Sequence, residues 1–430
     1  MPDPKTQKNE TGSTRRAFLQ ASSASTLAAL AAPHASGFHI GGRATLKVGL
    51  VGCGGRGTGA ASDALQADPD TELVAMGDAF SDQLEKSWKT LTSQGDIASR
   101  VKVDADHQFV GFDAYKNVID SCDVVLLATS PHFRPMHTRY AVEQNKQVFV
   151  EKPVAVDGPG LRHMLETCEM AKQKGLNILS GLCYRYDTPK IETMKRVHDG
   201  AIGDIVSLQA TYNTGGLWHR GRKPEWSEME YQMRNWLYFA WLSGDHAAEQ
   251  HIHSLDKIAW AMKDVPPLKC TASGGRIQRT EEKYGNVYDH FNAVFEWPDD
   301  VKGFTSCRQW NGASANVSDF AFGTKGVAGL QAHAIKAEDR WRYRGETNSM
   351  YVNEHIAFFK AIRAGEPINN GDYMCNSTLM ALMIRMSAYT GQTIGYEQAL
   401  NSEEDLSPPA YEWGPIDMRP VAIPGVTKFL

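Results

Sequence analysis

The sequence predicts an α/β chain whose N-terminal part is a doubly wound parallel sheet, and three observations carry that reading. A β-rich run, Leu46 to Val51, leads straight into a glycine turn, Gly52-Cys53-Gly54-Gly55-Arg56-Gly57. A helical pattern from Thr58 to about Gln66 follows, and then a second strand-like run from Thr71 to Met76 that ends at Gly77-Asp78. Strand-like and helical segments keep alternating as far as Ser180, as a parallel sheet requires when each return needs a crossover helix. At 430 residues the chain has room for two domains of ordinary size.

Residues 1–45 read as an address and a linker rather than as part of the fold. A polar start is followed by Ser13-Thr14-Arg15-Arg16-Ala17-Phe18-Leu19 and a mildly apolar Ala/Ser/Leu stretch to Ala32. This resembles a twin-arginine export signal with Arg15 and Arg16 as its pair, and it implies a periplasmic or secreted protein. That route moves proteins already folded, so any dinucleotide must be acquired before export. Seven cysteines (Cys53, Cys122, Cys168, Cys183, Cys270, Cys307 and Cys375) show no CxxC pair and no regular spacing, and they read as buried thiols.

The first folded domain is expected over residues 46–182. Its glycine turn has the GxGxxG spacing in a strand–turn–helix context, the fingerprint of a dinucleotide site. Gly52 permits the tight turn, Gly54 lets the backbone approach a pyrophosphate, and Gly57 lets the helix pack close to the strand. Gly55 and Arg56 complete the loop, and the helix N-terminus offers free N–H groups to the phosphates. Asp78 lies about 20 residues beyond, where an acid accepts hydrogen bonds from the adenosine ribose, which favours NAD. Arg56 is placed to attract a 2′-phosphate instead and leaves NADP open. Further strands are expected at Asp123–Thr129, Gln147–Val150 and Asn177–Ser180, with helices at His137–Asn145 and Gly160–Lys174. Ligands of such sheets sit beyond the carboxyl ends of the strands, which marks Thr129, Glu151 and Lys152.

Composition narrows the partners. The formal net charge is -5, against nucleic acid or an anionic membrane as the main partner. Hydrophobic residues make up 42% of the chain, yet no internal apolar run approaches the roughly 20 residues that a membrane span needs.

Taken together, these motifs resemble the Gfo/Idh/MocA oxidoreductases, named for glucose–fructose oxidoreductase and inositol dehydrogenase. The resemblance rests on Val48 to Gly57, Ala128-Thr129, Glu151-Lys152-Pro153, Gly181 to Tyr186, Gly200-Ala201-Ile202-Gly203, His253-Ser254-Leu255-Asp256 and Gly323-Thr324-Lys325-Gly326. It implies a second α/β domain, residues 183–430, with a large, open, mostly antiparallel sheet that often pairs subunits into a homo-oligomer. Strand signals at Ile205–Tyr212, Lys269–Ser273, Phe291–Trp297 and Lys302–Cys307 agree. The helix Val352–Ala364 places Val352, Ile356, Phe359 and Ile362 on one face, and the stripe Leu379, Leu382, Met383 and Met386 reads as core.

Moving a hydride from a C–OH to a nicotinamide requires removal of the hydroxyl proton as the carbonyl forms. Lys152, at a strand end, is the first candidate base, and the resemblance puts the matching lysine in the catalytic centre. On a regular helix Glu249 and His253 are i,i+4 neighbours, and a histidine oriented by a carboxylate transfers protons well. The resemblance assigns His253 to the family's active-site histidine, with Glu249 where many members carry Asp. His251 is a candidate to reach substrate or cofactor, while Asp256 reads as a structural partner. His246 adds a further imidazole, but the dinucleotide explains the chemistry without a metal. His132 and His137 are both candidates for a histidine that the family carries past its Thr-Pro step.

Aromatic and polar groups at Trp218 and His219 suit a carbohydrate, or equally a plain loop, while Trp236 and Trp241 read as core. Tyr184 and Arg185, leaving the last strand of the first domain, should line the cleft. The proline-rich tail from Leu406 to Leu430 reads as an extended arm that joins a subunit interface or closes the cleft. The resulting expectation is an exported NAD(P)-dependent oxidoreductase on a sugar, glycoside or cyclitol hydroxyl, with tightly held cofactor. Two alternatives are an NAD-dependent glycosidase that oxidises C3 transiently and a non-catalytic sugar-binding protein on the same fold.

Overall fold

Leu46, Val48 and Leu50 have no solvent exposure, because the strand that carries them is the centre of a sheet covered on both faces. In the computed structural model, which describes residues 44–430, that sheet holds six parallel strands in the order β3-β2-β1-β4-β5-β6. They are β1 (Leu46–Val51), β2 (Thr71–Asp78), β3 (Gln108–Val110), β4 (Val124–Leu127), β5 (Gln147–Val150) and β6 (Ile178–Ser180). The expected export signal, Arg15 and Arg16 included, lies outside the described residues. Helices α1 (Gly55–Ala67) and α2 (Ser81–Thr92) cover one face, while α3 (Ala114–Asp120), α4 (Arg134–Glu143) and α5 (Gly158–Gln173) cover the other. Helix α1 begins at Gly55 rather than Thr58, since the glycine turn itself supplies its first turn. Helix α4 begins at Arg134 rather than His137, because Pro135 fits a first turn, where its missing N–H costs nothing.

A short 3₁₀ segment, Cys183–Tyr186, and helix α6 (Thr188–His198) lead into the second sheet. Its strands are β7 (Ile205–Thr214), β8 (Lys269–Gly275), β9 (His290–Glu296), β10 (Lys302–Gln309), β11 (Asn316–Gly323), β12 (Gly326–Gly329), β13 (Ala334–Lys336), β14 (Trp341–Arg342) and β15 (Ile394–Gly395). Their order is β14-β13-β12-β11-β7-β10-β9-β8-β15, and every pairing is antiparallel except β7 with β10. One face, with Leu208, Ala210, Phe291, Phe295 and Cys307, is buried beneath helices α8 (Ile252–Ala261) and α10 (Gly371–Thr390). The other face is uncovered, and Phe304 there is 51% exposed between Gln209 and Val294. Helix α7 (Glu228–Arg234) lies in the long connection after β7.

The chain then returns to the first domain. Helix α9 (Met350–Ala364) joins the apolar cluster of α1 and α2, and Asn369 bridges to Ile178 of β6. The expected apolar stripe of α9 is corrected by the structure. Its buried face holds Glu354, His355, Phe358, Phe359 and Ile362, while Ile356 is 45% exposed. The helix is rotated because Glu354 meets Arg56 and the His355 ring lies 4.5 Å from that of Phe149. The stripe along α10 is buried, as expected for core.

The tail is an arm over the chain's own surface. Its Trp413 ring lies 5.3 Å from Phe80 and 4.6 Å from Phe112, and Gly414 accepts a hydrogen bond from the Met229 amide. At its end the Leu430 carbonyl accepts from the Ser402 hydroxyl (2.7 Å) and the Glu403 amide (3.1 Å).

Arg185 joins the linker to the second domain. Its guanidinium bonds Asp256 at 2.8 to 3.1 Å and Asp264 at 2.6 and 2.9 Å, and it lies 4.0 Å above the Tyr373 ring. Asp256 is 1% exposed, so removing the cation strands a buried carboxylate. Arg185→Ala should lower stability by about 3 kcal/mol, read as a fall of several degrees in the melting temperature, and Arg185→Lys should recover little of it because an ammonium cannot replace a two-pronged contact.

Candidate active site and nucleotide groove

The first candidate feature is the glycine turn, which lies at the carboxyl edge between β2 and β4. Gly52 has φ +93°, and a Cβ there would lie 2.6 Å from the Thr129 amide nitrogen. A Cβ on Gly57 would fall 1.8 Å from the Gly52 carbonyl oxygen, so α1 packs onto the turn only without a side chain. Around Gly54 and Gly55, by contrast, a Cβ would meet nothing within 4 Å. The first turn of α1 has no side-chain cap, which leaves its amides turned to that open space. These features fit a bound pyrophosphate.

Strand register arranges the rest. Val51 pairs with Gly77, which sets Asp78 beside the turn, and the Asp78 carboxylate accepts from the amides of Cys53 (2.6 Å) and Phe80 (2.9 Å). Burial pushes its pKa up to about 6 against the opposing pull of those amides. Leu127 pairs with Val150, so Thr129 and Lys152 leave neighbouring strands side by side. From β2 to β5 is three strand spacings, about 14 Å, the distance over which a dinucleotide would stretch from ribose acid to reactive end.

A groove opens at this edge. Gly52, Gly54, Asp78, Phe80 and Thr129 line it from the first domain, and His137 reaches it from α4. Arg220, Met233, Arg234 and Trp236 line it from the second domain. Lys152, Glu249, His253 and Tyr184 lie beyond its lining, past the β4 end.

Lys152 follows β5 and is 14% exposed. Its ammonium donates to the Glu249 carbonyl and sits 3.9 Å from Glu249 Oε1. The helix expected here opens instead with a π-helical turn, Ala247–His251, followed by α8 from Ile252. Glu249 lies within that turn and His253 after it, so the simple i,i+4 spacing does not apply. Such wide turns occur often at functional sites. His253 packs with its ring 5.1 Å from the Tyr184 ring, and its Nδ1 has no hydrogen-bond partner among the described residues. Burial, aided by the cations Lys152 and Lys257, holds its pKa well below the usual range, so the imidazole is neutral.

Several expected ligand contacts are corrected by the geometry. Arg56 does not face a 2′-phosphate: it bonds Glu151, lies 3.4 Å from Asp63 and 3.3 Å from Glu354, and stacks 4.6 Å from the Tyr351 ring. Arg185 is consumed by Asp256 and Asp264 and does not line the cleft. His251 is fully buried, so it cannot touch a ligand in the cleft. His219 bonds the Tyr231 hydroxyl (3.2 Å) and the Lys283 carbonyl (3.1 Å) within an aromatic cluster and does not line the groove. Trp218 is 43% exposed, with its ring 6.5 Å from Trp236, and Trp236 lines the groove rather than the core. His132 bonds the Tyr411 hydroxyl of the tail at 2.8 Å.

Glu354, Arg220 and Arg234 went unanticipated. Glu354 meets Arg56 across 298 positions and Arg234 meets Asp82 across 152, while Arg220 shares the groove with a glycine turn in the other domain, and no local pattern announces these meetings.

This fold and edge are those of a Rossmann-type dinucleotide-binding domain, followed by a domain built on a mixed sheet. Residues 46–181 match the Gfo/Idh/MocA family model, described as "Oxidoreductase family, NAD-binding Rossmann fold". The chain is 24% identical to the 2,7-anhydro-N-acetylneuraminate hydratase of Escherichia coli over 54% of its own length and 57% of the relative's. It is 28% identical to a glycosyl hydrolase family 109 protein of Streptomyces coelicolor over 51% of its length and 43% of the relative's. The chain thus spans about half the length of the curated relatives it matches. A scyllo-inositol dehydrogenase from Lactobacillus casei shares the fold, with a TM-score of 0.62 at 17% identity, covering 83% of this chain and 99% of that one.

Asp78 gives the groove a pH dependence. Only its ionised form accepts from both ribose hydroxyls, so NAD affinity should fall as the pH drops through about 6, by up to tenfold per unit. Asp78→Asn should weaken binding at neutral pH and flatten this profile; titration calorimetry at several pH values checks both.

Proposed function

We propose that the protein is an NAD-dependent oxidoreductase acting on a hydroxyl of a sugar, glycoside or cyclitol, with a cofactor that stays bound between turnovers. The observation that carries this reading is the contact of Lys152 with Glu249 at the end of β5, the strand beside the one that ends at Thr129, with His253 near enough to feel the Lys152 charge. Gly52, Gly54, Gly55, Gly57 and Asp78 hold the dinucleotide, with Thr129 beside it, and its nicotinamide supplies the hydride acceptor. Glu151 anchors the strand end from which Lys152 projects. Lys152 takes the hydroxyl proton once its own ammonium has passed a proton to the Glu249 carboxylate beside it, so that the amine is the base and Glu249 the first proton acceptor. The neutral His253 packs against Tyr184 and acts as an uncharged imidazole beside the reacting hydroxyl.

The substrate class draws support from the names of the relatives, which are a sugar-acid hydratase and a glycosyl hydrolase. The second of these favours an alternative in which C3 oxidation acidifies the C2 proton, the aglycone is eliminated, water adds and the sugar is reduced again. A non-catalytic sugar-binding role leaves the Lys152 and His253 arrangement without a purpose. Export through the Arg15-Arg16 signal belongs to the same proposal, because a cofactor roofed by the second domain suits a compartment without free nucleotide. So does pairing of two copies through the open sheet face around Phe304, and Phe304→Lys should then shift the molar mass seen by light scattering toward a monomer.

Denaturing the purified protein should release NAD into the supernatant without any having been added; an empty protein with weak NAD affinity would defeat the retained-cofactor reading. Lys152→Ala and His253→Ala should each lower turnover by at least about 10²-fold, while either variant at full activity would refute its residue's role. With nitrophenyl glycosides, aglycone release without net NADH marks the hydrolase, and NADH or a stable keto-sugar marks the dehydrogenase.

A further inference from the structure

We infer that Arg220, from the second domain, is a phosphate ligand of the bound dinucleotide and closes the groove over the glycine turn. The inference rests on the proposed dinucleotide site. Arg220 and the glycine turn share one cavity, yet they lie more than 160 positions apart and in different domains. The two guanidinium groups on this wall differ in what they do. Arg234 is neutralised, with Asp82 at 3.0 Å, Glu230 at 2.8 Å and the Phe80 ring at 4.0 Å. Arg220 has no carboxylate partner among the described residues; its guanidinium only overlies the Trp218 ring at 5.1 Å.

Its position is nonetheless built. Asn235, with no solvent exposure, accepts from the Arg220 amide at 2.8 Å and donates to the Arg220 carbonyl at 3.1 Å. The same side chain donates to the Tyr231 carbonyl, which ties this pin to α7. A fully buried amide side chain is thus spent on fixing the backbone of one exposed arginine. The opposite wall offers uncapped helix amides and empty space at Gly54 and Gly55, but no cation, since Arg56 is turned away to Glu151. Phosphoryl oxygens lying in the groove would therefore meet amides on one side and a free guanidinium on the other, and arginine gives such oxygens two parallel bonds. The chemistry fits either the pyrophosphate or a 2′-phosphate, and the two can be told apart.

The test is titration calorimetry on the nucleotide-stripped full chain with NAD, NADP, ADP-ribose and adenosine. Arg220→Ala should weaken ADP-ribose and NAD by about tenfold to a hundredfold while leaving adenosine unchanged, and Arg220→Lys should recover part of the loss. A loss confined to NADP also supports a phosphate contact, but assigns it to the 2′ position. No loss, or an equal loss for adenosine and ADP-ribose, overturns the inference. Arg222→Ala is the control, because that guanidinium is already paired with Glu228 at 2.5 Å; an equal loss there would reveal a diffuse charge effect and overturn the assignment too. If the unaltered protein binds no dinucleotide, the function proposed above falls and this inference falls with it, whereas normal binding unaffected by Arg220→Ala removes this inference alone.

Discussion

Glu151 sits where the two strands nearest the candidate chemistry end, and almost none of it reaches solvent. Room for its carboxylate exists only because Gly181, at the end of β6, has no side chain; a Cβ there would lie 2.7 Å from Glu151 Oε2. Burial alone would push this acid up, but the guanidinium groups of Arg56 and Arg134 outweigh it and keep the carboxylate ionised. Arg56 belongs to the glycine turn, and Lys152 is the next residue in the chain, its amide 3.2 Å from Glu151 Oε2. One buried ion pair therefore sets the glycine turn, the proposed nucleotide wall, against Lys152, the proposed base. Glu354 extends it to α9, as a carboxyl that burial and the Glu151 charge hold neutral. Such a centre contributes little net stability while intact, yet losing one partner would cost about 3–5 kcal/mol, because a lone charge would be left without water.

The first domain was legible because its signals are local. The strand, turn, helix and acid of the nucleotide site fall within the 33 residues from Leu46 to Asp78, and each strand end announces its own edge residue. Thr129 and Lys152 could be placed together on that basis alone. Misreadings arose where a side chain answers to something distant. Arg56 looked free from its neighbours, but one of its partners is Glu354, 298 positions away. Arg185 looked like a cleft residue, but it answers to Asp256 and Asp264. The α9 stripe was drawn from apolar residues, whereas its buried face is set by an acid that serves this same ion pair. The π-helical turn at Ala247–His251 defeats spacing arithmetic, since one wide turn rotates every side chain behind it.

The groove is a joint product of both domains. The first supplies amides, glycines and Asp78; the second supplies Arg220, Met233, Arg234 and Trp236 as a roof. Arg234 also pins that roof to Asp82 and Phe80 of the first domain. Helix α9 joins the two domains elsewhere, by packing Phe358, Phe359 and Ile362 into the apolar cluster of the first.

The last residues of the chain act as a fastener rather than a loose end. The Leu430 carbonyl is already committed to Ser402 and Glu403, and the segment before it lays Trp413 across Phe80 and Phe112. Trp413 thus backs two rings, Phe80 and Phe112, that themselves line the groove, so a truncation ahead of Trp413 would strip the packing from behind that wall.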